Sequence, residues 1–185
     1  MVEEGKDEVA KSTFYELFIP GVTSEEDLNQ ASIRDVVRDI AQLVYITSPG
    51  TPIRETKRFE NNFHLAPGDH MGAVLEKVNT KIVGIPGAKF SKTLAIDAQA
   101  TAQITNMRFE ENVELGSRAT GIFTDCVFEK LVNMTNGSLA HFIGCVFLDE
   151  AAVNNAGAGG NAYIIGCSRK SGVAHTNVTT IAETT

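Results

Sequence analysis

A repeat constrains what this chain can fold into more than any other feature of it. The segments Ile85-Pro-Gly-Ala-Lys-Phe90, Ile104-Thr-Asn-Met-Arg-Phe109, Phe123-Thr-Asp-Cys-Val-Phe128 and Phe142-Ile-Gly-Cys-Val-Phe147 begin 19 residues apart, and Ile164-Ile-Gly-Cys-Ser-Arg169 follows after 22. A weaker copy, Ala66-Pro-Gly-Asp-His-Met71, lies 19 residues before the first. Units this short cannot bury their own apolar side chains, so a fixed period of this length means a stack of turns.

Each column of the repeat has a physical reading. Column one (Ile85, Ile104, Phe123, Phe142, Ile164), column four (Ala88, Met107, Cys126, Cys145, Cys167) and column six (Phe90, Phe109, Phe128, Phe147, Arg169) are expected to point inward. The third column is Gly87, Asn106, Asp125, Gly144 and Gly166. These residue types tolerate positive φ, so the column predicts a bend repeated in register. A second strand per turn is expected at Leu94-x-Ile96, Val113-x-Leu115, Val132-x-Met134, Val153-x-Asn155 and Val173-x-His175, apolar at alternate positions as a half-buried strand should be. The longer last intervals bracket Asn154-Asn-Ala-Gly-Ala-Gly-Gly160, which reads as an inserted corner loop.

The expected fold is therefore all-β: a single-stranded, right-handed parallel β-helix of about six turns, stacked at ~4.8 Å. The rival solenoids fit worse. No Leu-x-x-Leu-x-Leu scaffold is present, 19 is not a multiple of six, and no five-residue period persists through the turn.

Residues 24–46 read as one amphipathic helix. Ser24 is a good N-cap, Glu25, Glu26 and Asp27 complement the helix dipole, and Ile33, Val36, Val37, Ile40, Leu43 and Val44 recur at helical spacing. Its expected role is to cap the open backbone at one end of the solenoid. Ahead of it Phe14, Tyr15, Leu17, Phe18 and Ile19 form an apolar strip suited to docking on a partner. The chain thus divides into an arm and helix (residues 1–55) and a β-helix domain (residues 56–185).

Composition excludes several classes. With 185 residues, 43% of them hydrophobic, the chain can bury a core, yet no apolar run approaches the ~20 residues of a membrane span. Its 16 basic against 23 acidic residues give −7, so neither nucleic acid nor a membrane surface is an expected partner. Residues 1–60 carry 12 acids and 7 bases while residues 151–185 carry 1 and 2, which suggests different neighbours for the two ends. The acidic start, with Glu3, Glu4, Asp7 and Glu8, lacks the basic and apolar regions of a secretory signal. Without export, Cys126, Cys145 and Cys167 are expected to form a reduced core ladder, and the glycosylation patterns at Asn133, Asn136 and Asn177 carry no meaning.

Ile104-Thr-Asn-Met-Arg-Phe-Glu-Glu-Asn112 and Phe123-Thr-Asp-Cys-Val-Phe-Glu129 resemble the I-x-N-C-x-F-x-N turns of pectin-lyase-like right-handed β-helices, a group that includes phage tailspikes. Phe63-His-Leu-Ala-Pro-Gly-Asp69 and Thr80-Lys-Ile-Val-Gly-Ile-Pro-Gly87 are similar to the opening turns of such virion domains. The resemblance covers about two-thirds of the chain and implies a homotrimeric, non-enzymatic phage virion protein, first of all a capsid decoration (cement) protein, located in the virion after assembly in the host cytoplasm. Its implied partners are further copies of itself and the major capsid protein or another virion protein. A tailspike or receptor-binding fragment gripping a surface polysaccharide, and a polysaccharide lyase or hydrolase, are the alternatives.

Candidate chemistry is sparse. Glu110 and Glu129 both follow a column-six Phe, and stacking would separate them by about the ~5 Å of a retaining glycosidase pair, a distance any stacked column provides. His64, Asp69 and His70 lack a recognised metal-ligand spacing, and His141 and His175 read as edge or corner residues. No catalytic residue, metal or cofactor is assigned.

Overall fold

Short apolar alternations broken by bend-forming residues give many brief strands. The computed structural model describes residues 45–53, 55, 61–148 and 150–185. In chain order its strands are β1 (Tyr45–Thr47), β2 (Asn61–Leu65), β3 (Gly68–Asp69), β4 (Ala73–Leu75), β5 (Thr80–Gly84), β6 (Ala88–Phe90), β7 (Leu94–Ile96), β8 (Thr101–Thr105) and β9 (Arg108–Phe109). They continue as β10 (Val113–Leu115), β11 (Thr120–Thr124), β12 (Val127–Phe128), β13 (Val132–Met134), β14 (Leu139–Ile143), β15 (Val146–Phe147), β16 (Val153–Asn155), β17 (Asn161–Arg169) and β18 (Thr179–Thr184).

These pair in parallel as a β-solenoid of about six turns. A 13-stranded sheet runs β1-β2-β5-β8-β11-β14-β17-β15-β12-β9-β6-β3, with β18 added to β17, and a five-stranded sheet runs β16-β13-β10-β7-β4. Strand β17 belongs to both legs of the large sheet, through Leu139↔Asn161 and Phe147↔Arg169. The expected strip Phe14 to Ile19 lies outside the described residues, as does the expected helix up to residue 44. The last two helix positions, Tyr45 and Ile46, are strand instead, in register with Phe63 and His64.

The bend column is present as read: φ is 97° at Gly87, 55° at Asn106, 52° at Asp125, 62° at Gly144 and 60° at Gly166. A second column escaped the sequence. Asn79, Gln99, Arg118, Gly137 and Gly159 have φ of 66°, 63°, 59°, 70° and 71°. Four of them sit third in tight turns closed by Ala100 N–H to Asp97 O (3.1 Å), Ala119 N–H to Gly116 O (3.0 Å), Ser138 N–H to Thr135 O (3.1 Å) and Gly160 N–H to Gly157 O (3.4 Å), where a type II turn requires positive φ.

The core is a stack of rings. Phe90, Phe109, Phe128 and Phe147 lie with centroids 5.8, 4.9 and 5.2 Å apart and planes within 21° of parallel, and all are at most 1% exposed. Phe123 and Phe142 stack beside them at 5.2 Å and meet them edge-on. Such pairs add about 0.5–1.5 kcal/mol each beyond the area they bury. Histidines close both ends: His70 meets Phe90 at 6.5 Å and His175 meets Phe147 at 4.8 Å, both edge-on.

Register corrects three sequence assignments. Ile82, fully buried, pairs with Ile104 and heads column one, whereas Ile85 is 37% exposed. The Pro86-Gly87 corner is longer than its counterparts in later turns, closed by Ala88 N–H to Ile85 O at 2.9 Å, so a fixed spacing of 19 lands on the wrong isoleucine. One turn earlier, pairing of Asp69 with Lys89 puts His70, not Met71, in the phenylalanine column; Met71 is 48% exposed. In the final turn Asn154 pairs with Thr176, which sets His175 rather than Val173 opposite Val153. His175 is therefore no corner residue: its side chain is 4% exposed.

Candidate functional site

Along the leg β5-β8-β11-β14-β17-β18 of the large sheet, outward positions stack in straight columns because successive strands pair without slippage, and two of these columns stand out. One runs Lys81, Gln103, Ile122, His141, Tyr163, Thr179; the other runs Val83, Thr105, Thr124, Ile143, Ile165, Ile181. Polar residues dominate the early turns and apolar ones the late turns. Ile143 is 39% and Ile181 54% exposed, and the rings of His141 and Tyr163 lie 5.0 Å apart on the same face. Neither column contains a carboxylate. This face is the candidate interaction site.

The neighbouring leg carries the charge. Lys89 Nζ donates to both Glu110 oxygens at 2.8 and 3.0 Å, Arg108 Nε donates to Glu129 Oε1 at 2.5 Å, and Lys130 Nζ donates to Glu150 Oε2 at 2.7 Å. Each ion pair thus ties one turn to the next. The bond to Glu110 raises the Lys89 pKa. Glu110 and Glu129 do lie on adjacent turns, but each faces a cation of the preceding turn rather than the other carboxylate.

The structure separates His64, Asp69 and His70. His64 is in register with Val83 on the outer face. His70 is 3% exposed in the ring stack and its Nε2 bonds Ala66 O at 2.7 Å. The Asp69 carboxylate accepts N–H bonds from Met71 (2.7 Å) and Ser91 (3.3 Å), and hydrogen bonding, first from the Ser91 side chain, lowers its pKa. Among the described residues no group of three or more His, Cys, Asp or Glu could hold a metal ion.

Cys126, Cys145 and Cys167 are free and buried. They donate to main-chain carbonyls, Cys126 to Thr124 at 3.3 Å, Cys145 to Phe123 at 3.4 Å and Cys167 to Phe142 at 3.3 Å, and the Cys145 N–H donates to Cys167 Sγ at 3.3 Å. The hydrogen bond with Cys126 is the largest influence pushing the Cys145 thiol up to about 12, and the bond with Cys145, then burial, raises Cys167. Thiolates are the reactive form and all three sulfurs are buried away from reagents, so low reactivity is expected of the folded chain. With a disulfide-exchange reagent at about pH 8, all three thiols are expected to stay unreacted in folded protein and to react fully after unfolding. Rapid reaction of any one in the folded protein would contradict the buried ladder.

Two polar clusters were not read from the sequence. On the outer face of the small sheet Asn133 Nδ2 donates to Glu114 Oε1 (2.8 Å) and Asn154 Nδ2 to Asn133 Oδ1 (3.2 Å). At the C-terminal end Arg169 Nε donates to Glu183 Oε2 (2.9 Å), and Glu183 Oε1 lies 2.9 Å from His175 Nε2. The Val153 N–H donates to His175 Nδ1 at 2.9 Å, which fixes the tautomer: Nε2 carries the hydrogen and donates to Glu183. The middle positions of the second-strand repeat, 114, 133 and 154, are the signal that could have found the first cluster, but no short motif marks the Arg169, His175 and Glu183 cluster. Compared with known proteins, the chain matches no family model, no curated protein and no solved structure.

Proposed function

We propose that this chain is a phage virion structural protein: a homotrimeric capsid decoration (cement) protein on a right-handed β-helix, with the remainder of its expected helix, residues 24–44, as cap. The strip Phe14, Tyr15, Leu17, Phe18 and Ile19 docks on the major capsid protein or a neighbouring virion protein, and assembly takes place in the host cytoplasm. The observation that supports this reading best is the carboxylate-free, increasingly apolar pair of outward columns that reaches Tyr163 and Ile181, because contiguous exposed apolar surface marks an interaction surface. The ion pairs of Glu110 and Glu129 favour a solvated ladder over hydrolysis, which needs one carboxyl held protonated.

Particles assembled with and without the chain test the reading. Loss of the protein is expected to lower resistance to heat and osmotic shock, and restoring it to recover that resistance. Unchanged robustness together with no binding to the capsid would overturn it. A second reading, a receptor-binding fragment gripping a surface polysaccharide, is favoured by one observation: the outward His141 and Tyr163 rings, 5.0 Å apart, offer a stacking surface for a sugar. Measurable binding to bacterial surface glycans, lost in Tyr163→Ala, would favour this second reading.

A further inference from the structure

We infer that a second copy of this chain packs on the outer face of the large sheet over its last three turns, around Ile143, Ile165 and Ile181. This deepens the assembly part of the proposed function and rests on it. The first argument is continuity. Thr124, Ile143, Ile165 and Ile181 are successive register partners, and Ile122 and Tyr163 lie in the column beside them, so the apolar groups form one strip rather than isolated exposures. By contrast Val74 (59% exposed) stands on the outer face of the small sheet in a column with Ala95, Glu114, Asn133 and Asn154.

The second argument is charge, and it selects the occupant. Each chain carries −7, so two copies repel unless they meet where acids are missing. The two columns hold no carboxylate, and their one charged side chain of fixed sign, Lys81, is at the end remote from Ile181. Asp125 follows Thr124 in the bend column, Glu183, two residues past Ile181, bonds to Arg169 and His175, and the acids of the adjoining leg, Glu110 and Glu129, bond to Lys89 and Arg108. An anionic membrane would want cations around the apolar strip, and a polysaccharide would want more rings than Tyr163 and His141. A second, equally acidic chain wants what is there: apolar surface without charge.

The test is the mass of the full chain in solution by light scattering across a concentration series, for wild type, Ile143→Lys, Ile181→Lys and the control Val74→Lys, with thermal melting to confirm folding. Wild type and Val74→Lys are expected to be oligomers. Ile143→Lys and Ile181→Lys are expected to dissociate, with the dissociation constant raised at least ~30-fold, as for loss of an interface hot spot. Should Ile143→Lys fail to fold, Ile181→Lys on the exposed terminal strand carries the same reading. A folded lysine variant that keeps the wild-type mass and affinity would overturn this inference while leaving the oligomeric reading in place. A monomeric wild type would overturn both. Were that monomer to bind particles and Ile143→Lys to lose the binding, the face would belong to another virion protein, contradicting self-association but not the virion role.

Discussion

Replacing Phe128 by alanine is expected to destabilise the fold by about 3–5 kcal/mol, the usual cost of truncating a buried phenylalanine. Phe128 is fully buried and lies 4.9 Å from Phe109, 5.2 Å from Phe147, 5.4 Å from Phe123 and 5.6 Å from Phe142. Truncation leaves a void the parallel rungs cannot close, because each is hydrogen-bonded to both neighbours at fixed register. It also strikes the middle of a quasi-one-dimensional stack, where every turn depends on the next. Leu131→Ala, three residues on but 38% exposed, is expected to cost less than about 1 kcal/mol. Denaturant titration of the two variants checks this, and equal midpoints would mean that the rings are not the core.

Gly166→Val is expected to cost about 2 kcal/mol or more, and Gly166→Asn less than about 1 kcal/mol. The position is chosen because φ is 60° there and an added Cβ would meet nothing within 4 Å, so the difference reports the bend rather than a clash at that carbon. Asparagine already holds the equivalent place at Asn106 with φ 55°. A β-branched side chain in the same conformation crowds its own carbonyl. Ala182 continues the bend into β18 with φ 70°, strain that Ala182→Gly would relieve. Equal denaturation midpoints for the valine and asparagine variants would remove the bend column from the account.

The parts of the fold legible in the sequence are those where geometry restricts residue type at every turn. The inward cysteines and phenylalanines and the first bend column are such places, since each must be apolar or able to take positive φ. The second bend column was illegible because Gln99 and Arg118 occupy it despite their side chains, held by turn hydrogen bonds that any backbone can make. Ile85 misled because a proline-glycine corner absorbs extra residues without disturbing the strands on either side. His175 was misplaced for a similar reason: the last turn shifts so that its ring nitrogen meets the Val153 amide, a tertiary contact with no local signature. The candidate face was only half visible. Outward positions tolerate anything, so Thr105, Thr124, Ile143 and Ile165 look unrelated until register makes them one column.

The stacking of turns in unbroken register is the claim on which all else depends. It is tested most directly by the distance between nitroxide labels at Val74→Cys and Asn154→Cys, using the unreactive native thiols as silent background and diluting labelled chains with unlabelled ones. Val74, Ala95, Glu114, Asn133 and Asn154 are successive register partners, so labels 80 residues apart in sequence are four strand spacings apart in space. A narrow distribution centred at about 20–25 Å is the expected result, four steps of ~4.8 Å plus the label arms. A broad distribution, or a mean beyond ~35 Å, more than those four steps and the arms can span, would contradict the stacked solenoid.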